Sequence, residues 1–168
     1  NRLITKKDEN LQTFIRKNFP NDHETIKIDD QLSENLFIIP KKLQSNFFKH
    51  KKIKSNEIII QDKASCLPVE ILFDGINHEN VGSEVCEIVD ACSAPGNKTT
   101  HLAALVGDGG RVRAFDADGK RLKRLARNVA TAGAGVIVDA RRADFLEVDP
   151  ADPEYAGVRA VLLDPSCS

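Results

Sequence analysis

Four aspartates recur through the second half of this chain. Asp90, Asp116 and Asp164 close strand-like apolar runs, and Asp144 follows a further run in the loop beyond it. Between the first two lies Cys92-Ser-Ala-Pro-Gly-Asn-Lys98, which brings a thiol, a hydroxyl, an amide and an ammonium into seven residues. Carboxylates repel a phosphate-rich ligand. They accept hydrogen bonds from ribose hydroxyls, an amino group or an exocyclic amine. A ring of them suits a nucleoside with a cationic tail. The plainer alternative is that each aspartate caps a helix following its strand. Two other nucleotide patterns fail: Asn97 separates Gly96 from Lys98, with no glycine five places earlier, and no Gly-x-Gly-x-x-Gly occurs.

The elements that must position these residues follow from the apolar pattern. Cys86 to Asp90 carries β-branched Ile88 and Val89 and reads as a strand. A turn with Pro95 and Gly96 follows, then a helix with Leu102, Leu105 and Val106. The unpartnered N–H groups opening such a helix point at whatever lies over the strand's carboxyl end. Gly110–Asp116 predicts a second strand. A helix over 118–132 would turn Leu122, Leu125, Ala126 and Val129 inward and end at Gly133. Gly135–Asp139 and Val158–Asp164 predict a third and a fourth strand. Strands separated by helices mean a Rossmann-like, doubly wound parallel α/β sheet with its ligand at the carboxyl ends. S-adenosylmethionine is a nucleoside of the kind this arrangement favours.

Residues 1–60 read as a small basic α/β subdomain, and 61–168 as a larger domain. In the first, Thr5 and Asp8 resemble a capping box ahead of a helix with Leu11, Phe14, Ile15 and Phe19, stopped by Pro20. Thr25–Ile28 and Leu36–Ile39 are β-like, separated by a turn at Asp29-Asp30-Gln31, and Glu57–Ile60 is a further strand. Asp62 caps a helix over 63–72 whose apolar face includes Ala64, Leu67, Ile71 and Leu72, with Pro68 predicting a kink or late start. Gly75–Gly82 reads as a polar turn.

Charge is unevenly spread. Residues 1–61 hold twelve basic and eight acidic side chains, and 62–168 hold twelve and seventeen, so the front half suits an anionic partner. Within it, Lys41, Lys42, Lys49, Lys51, Lys52 and Lys54 surround Phe47 and Phe48 with no acid among residues 40–54. Lysines neutralise phosphates and exposed rings stack on unpaired bases. A solvated loop with both rings in the core is the alternative. Four cysteines without a metal-like pair point to reduced thiols. No apolar run of about 18 residues or signal peptide is visible. Composition shifts near residue 100, from Ile, Asn and Lys to Ala, Gly, Arg and Asp. Both ends read as cut.

Asp90-Ala-Cys-Ser-Ala-Pro-Gly-Asn-Lys-Thr99 and Asp164-Pro-Ser-Cys-Ser168 resemble the paired signatures of the Sun family of RNA cytosine-5 methyltransferases. Gln61-Asp-Lys-Ala-Ser-Cys-Leu-Pro68, with Asp144-Phe-Leu146 and Asp152-Pro-Glu-Tyr155, is similar to its eukaryotic member acting on large-subunit ribosomal RNA. The resemblance implies that Cys92, Ser93, Ala94, Pro95, Gly96, Asn97 and Lys98 cradle the methionine part of S-adenosylmethionine. Asp116 takes the ribose hydroxyls with Arg121 beside it, and Asp144 sits near the adenine. Asp164 lies between cofactor and cytosine and contacts the base, and Cys167 assists product release. It also implies a ribosomal RNA partner and a nucleolar site of action; from the cysteine spacing and apolar runs, neither metal nor membrane is expected.

In that family a cysteine thiolate adds to carbon 6 of an unstacked cytosine, so that carbon 5 can attack the methyl group. The attacking cysteine stands in a Thr-Cys-Ser motif after a fifth strand. None of Cys66, Cys86, Cys92 or Cys167 matches it. These 168 residues are therefore expected to bind cofactor weakly and not to turn over, with Cys66 and Cys86 as packing residues. A non-catalytic RNA-binding or assembly protein on the same fold is the rival reading. A small-molecule methyltransferase is a third, against which the lysine run argues.

Overall fold

The structure is a computed structural model describing residues 2–3, 11–29, 32, 36–55, 58–78 and 86–165. The expected Thr5–Asp8 capping box, the Asp30-Gln31 part of the turn, Glu57, residues 79–82 and Cys167 lie outside the described residues. The chain divides into two compact units, Asn1–Lys63 and Ala64–Ser168.

In the first unit, β1 (Arg2–Leu3) precedes α1 (Leu11–Asn18), and β2 (Lys27–Ile28) pairs antiparallel with β3 (Phe37–Ile38). The segment from residue 41 is helical: a 3-10 turn (Lys41–Leu43), α2 (Gln44–Lys49) and α3 (Lys51–Lys54). β4 (Ile58–Ile59) returns antiparallel to β1. Phe14 and Ile15 of α1 meet Ile26, Phe37, Ile39, Leu43, Phe47 and Ile58 in one apolar core. The loop alternative for 41–54 is replaced by helix because Leu43 and Phe47, four apart, fall on one stripe and both bury. Only one of the two adjacent rings goes inside. Phe47 stacks on Phe19, with centroids 3.9 Å apart and planes 10° off parallel, while Phe48 stays 56% exposed.

From Ala64 on, α4 (Lys63–His78) belongs to the second unit; it starts ahead of Pro68 and continues through Gly75, where a turn was expected. Its buried stripe is also rotated from expectation. Cys66, Val69 and Ile76 are buried and Leu72 and Phe73 half-buried, whereas Ala64 is exposed and Ile71 is 65% exposed. The true stripe advances by steps of three and four from Cys66, a residue that reads as polar or apolar according to its surroundings.

Then come β5 (Glu87–Asp90), α5 (Asn97–Val106), β6 (Arg111–Phe115), α6 (Gly119–Thr131), β7 (Val138–Arg141) and β8 (Val158–Leu162). The four strands form one parallel sheet in the order β7-β6-β5-β8. Alternation along the strands separates its faces. Ile88, Val112, Ala114, Val138 and Leu162 share a core with Leu102 of α5 and Leu125 and Val129 of α6. Val89 and Phe115 face the other way, onto Phe145, Val148 and Tyr155 of the β7–β8 crossover. Ala126 of α6, expected inward, is exposed, so the buried stripe is narrower than its apolar letters suggest. β7 begins three residues later than expected. After Gly133, at φ +71°, the amides of Ile137 and Val138 both bond to the Ala134 carbonyl, and this turn leaves Val136 99% exposed.

Candidate functional site

The strand order reverses at β5: chain-successive strands run outward through β6 and β7, then β8 adds on the opposite side. Crossovers therefore leave on opposite faces and open a crevice above the carboxyl ends of β5 and β8. A cavity of about 250 Å³ lies there. Its floor is the bend between β5 and α5, with Ser93, Ala94, Pro95 and Asn97 on its surface. Cys92, Lys98, Arg121 and Asp164 supply the functional groups around it. Lys98 and Asp164 form an ion pair across the crevice, each side chain partly open to solvent.

The bend is held from behind. Asp90, ending β5, is buried, and its Oδ2 accepts the Thr99 hydroxyl at 2.7 Å. Burial pushes the Asp90 carboxyl up to about 6, opposed by the hydrogen bonds from Thr99 and the Cys92 amide. The Ser93 amide and hydroxyl both donate to the Phe115 carbonyl, at 2.9 and 2.8 Å. Asp116 accepts the Ala94 amide on one oxygen (3.2 Å) and the Asp118 amide on the other (2.9 Å). Arg121 donates to the Ala94 carbonyl at 2.7 Å and lies 3.7 Å from Asp116, and Asn128 donates to the Pro95 carbonyl. Ala94–Pro95 is cis. Gly96 sits at φ +107°, and a Cβ there would stand 2.8 Å from Leu125 Cδ1, so α6 packs directly against the bend.

Of the residues expected at the site, Gly96 and Asp116 are buried at the bend and are not in the cavity's lining. Asp144 does not line the cavity. It caps a 3-10 turn (Phe145–Glu147) by accepting the Leu146 amide at 3.0 Å. Lys41, Lys42, Lys49, Lys51 and Lys54 are exposed in the first unit, whereas Lys52 is half-buried with its ammonium 4.7 Å above the Phe14 ring. Ser65 and Pro165 line the cavity without having been singled out. Ser65 stands in the Gln61–Pro68 motif and Pro165 directly follows Asp164, so both had a sequence signal. Thr99, which fixes Asp90, had one only in its place within the bend motif.

Burial pushes the Cys86 thiol up, and burial with the nearby carboxylates of Asp90 and Asp116 does the same at Cys92. Both shifts favour the thiol, against the thiolate that an attacking cysteine needs. Cys66 is fully buried. Among the described residues no three His, Cys, Asp or Glu side chains gather as a metal site would need. No helix among them is long and apolar enough to cross a membrane.

A parallel sheet whose order reverses at its first strand, with a polar crevice at that point, is a Rossmann-like doubly wound fold, here of the S-adenosylmethionine-dependent methyltransferase class that its likenesses to known proteins define. The solved structure of NSun6 from Pyrococcus horikoshii with SFG shares it. That likeness has a TM-score of 0.51 and 25% identity, over 78% of this chain and 30% of the other. The chain belongs to the family described as 16S rRNA methyltransferase RsmB/F, whose family model matches residues 79–168. It is 37% identical over its whole length to the 28S rRNA (cytosine-C(5))-methyltransferase of Mus musculus, covering 36% of that protein. It is 38% identical over 87% of its length to the 25S rRNA (cytosine-C(5))-methyltransferase NSUN5 of Arabidopsis thaliana, covering 24% of it. The chain thus spans about a third or less of these relatives.

Proposed function

We propose that the second unit holds S-adenosylmethionine in the crevice between β5 and β8, as part of an enzyme that methylates carbon 5 of a cytosine in large-subunit ribosomal RNA in the nucleolus. The Lys98–Asp164 pair facing across the cavity carries this reading. An amino acid zwitterion has the complementary pair of charges. The Lys98 ammonium suits its carboxylate and the Asp164 carboxylate its amine, as charge-assisted hydrogen bonds. The chemistry of the donors fits the cofactor: a cation and an acid face each other beside a bend of small apolar and polar residues, with no glycine-rich phosphate cradle.

When bound, S-adenosylmethionine supplies the methyl group. The chain's own residues bind and orient. Asp90, Thr99, Ser93 and Asp116 hold the bend rigid from behind, so that its exposed atoms meet the ligand without rearranging. Asp116 keeps lone pairs on both oxygens, which suits ribose hydroxyls, with Arg121 beside it. In this reading the partly exposed Asp164 would hydrogen-bond the cytosine ring, and Asp144, outside the cavity's lining, would reach the adenine end only from beyond it. Cys167 acts at product release. The exposed lysines of residues 41–54 hold the RNA backbone.

Equilibrium dialysis of the chain against labelled S-adenosylmethionine tests the reading. Saturable binding that weakens about tenfold or more in Lys98→Ala and Asp164→Asn is expected, since each removes a charge-assisted contact of about 1.5–3 kcal/mol. Binding by both variants as tight as that of the parent chain would refute it.

A further inference from the structure

We infer that Phe48 is a stacking platform for one unpaired RNA base, with the exposed lysines around it gripping the phosphates on either side; this rests on the reading of the chain as RNA-directed.

Two adjacent phenylalanines on one short helix have opposite fates. Phe47 is 1% exposed, stacked on Phe19 and tilted against Phe37. It is the buried residue that α2 gives to the core, beside Leu43 of the preceding 3-10 turn. Phe48 is not one of the buried residues of that core and keeps 56% of its surface in water. A lone exposed apolar residue is ordinary. Along the chain, this one lies in a stretch whose charges are of a single sign. Lys41, Lys42, Lys49, Lys51 and Lys54 are all exposed, as are Ser45 and Asn46, and no acidic residue occurs between Glu34 and Glu57.

The combination selects its partner. An apolar protein surface would have to desolvate five ammonium groups to reach the ring. A polyanion without rings would satisfy the lysines and leave Phe48 in water. A single strand of RNA meets both demands, because every base has a face to stack and every linkage a phosphate to pair. Duplex RNA does not, since its bases are already stacked inside the helix. Lys52 stands apart from this surface, being half-buried over Phe14.

The chain contains no tryptophan, so Phe48→Trp installs a single indole reporter on the surface. Its fluorescence is followed while the chain is titrated with oligouridylate, with duplex RNA of equal length, and with heparin. Saturable quenching by the single strand, and none by heparin at matched charge, is expected. Phe48→Ala should weaken single-strand binding about five- to a hundredfold. It should leave duplex binding within about twofold, with circular dichroism confirming an unchanged fold. Lys41→Ala with Lys42→Ala should weaken all three and flatten the salt dependence. Single-strand binding that is undiminished in Phe48→Ala, with a silent indole, would overturn the stacking role and leave the RNA reading standing. No binding of any RNA at low salt would remove the RNA reading itself, and the platform with it. Binding of S-adenosylmethionine is measured separately and depends on neither result.

Discussion

Asp90 occupies the position where sequence and physical chemistry pull hardest against each other. A carboxylate at the end of a central strand, sealed under the bend, pays for its place with a carboxyl raised to about 6 from an ordinary 3.8 by burial. The sign of its effect on stability follows. Well below the ordinary 3.8 the group is protonated whether the chain is folded or not. As pH rises from there to about 6 the unfolded chain ionises first, and the folded state loses up to about 3 kcal/mol relative to its acid-side value. Asp90→Asn should remove this descending component, whatever constant offset the loss of its backbone hydrogen bond introduces. Urea unfolding of both proteins between pH 4 and 7 would show their stabilities converging or diverging by that amount across the window, and parallel curves would contradict the assignment. At this scale the sequence was most legible where chemistry is carried by letters in a fixed bend: Ser93 to Lys98, Asp116 and Asp164 come together. It was least legible for the supporting hydroxyl. Nothing about a threonine says that its Oγ will face a carboxylate nine residues earlier.

At the level of elements, the parallel strand–helix alternation was readable because β-branched pairs and helical stripes differ in period. Edges of elements were not. The face of α4 depended on whether Cys66 counted as apolar, and the start of β7 on a turn around Ala134 made by backbone amides, which no side-chain pattern announces. The β7–β8 crossover shows a further device invisible in sequence. Glu154, on a 3-10 turn (Pro153–Tyr155), bonds to Arg113 of β6 and Arg141 of β7, and Arg113 in turn bonds to Glu87 of β5. The Arg141 and Arg113 guanidinium groups hold the Glu154 carboxyl down to about 2. Its stabilising effect is thus present above the ordinary carboxylate range near 4.5 and is lost as pH falls toward 2. Glu154→Gln should unfold at a lower denaturant concentration at pH 6, and the gap to the parent should close as both are acidified. A gap that stays constant down to pH 2 would mean the carboxylate is not what ties the crossover to the sheet.

For the molecule as a whole, the charge imbalance between its two parts was plain from composition, and the two compact units, Asn1–Lys63 and Ala64–Ser168, each enclose a core of their own. The division of labour proposed here assigns a basic surface with one exposed ring to RNA and a polar crevice at the turn of a parallel sheet to a sulfonium nucleoside. The crevice is the central claim. It is tested most directly by titrating isotope-labelled chain with S-adenosylhomocysteine, the demethylated product, and following backbone amide shifts, which register weak binding as well as tight. The account predicts that the amides of Ser93, Gly96, Asn97, Lys98 and Asp164 move together along one saturable curve, and that Asp164→Asn flattens it. Amides of the bend that stay still while others respond, or no response anywhere, would contradict it.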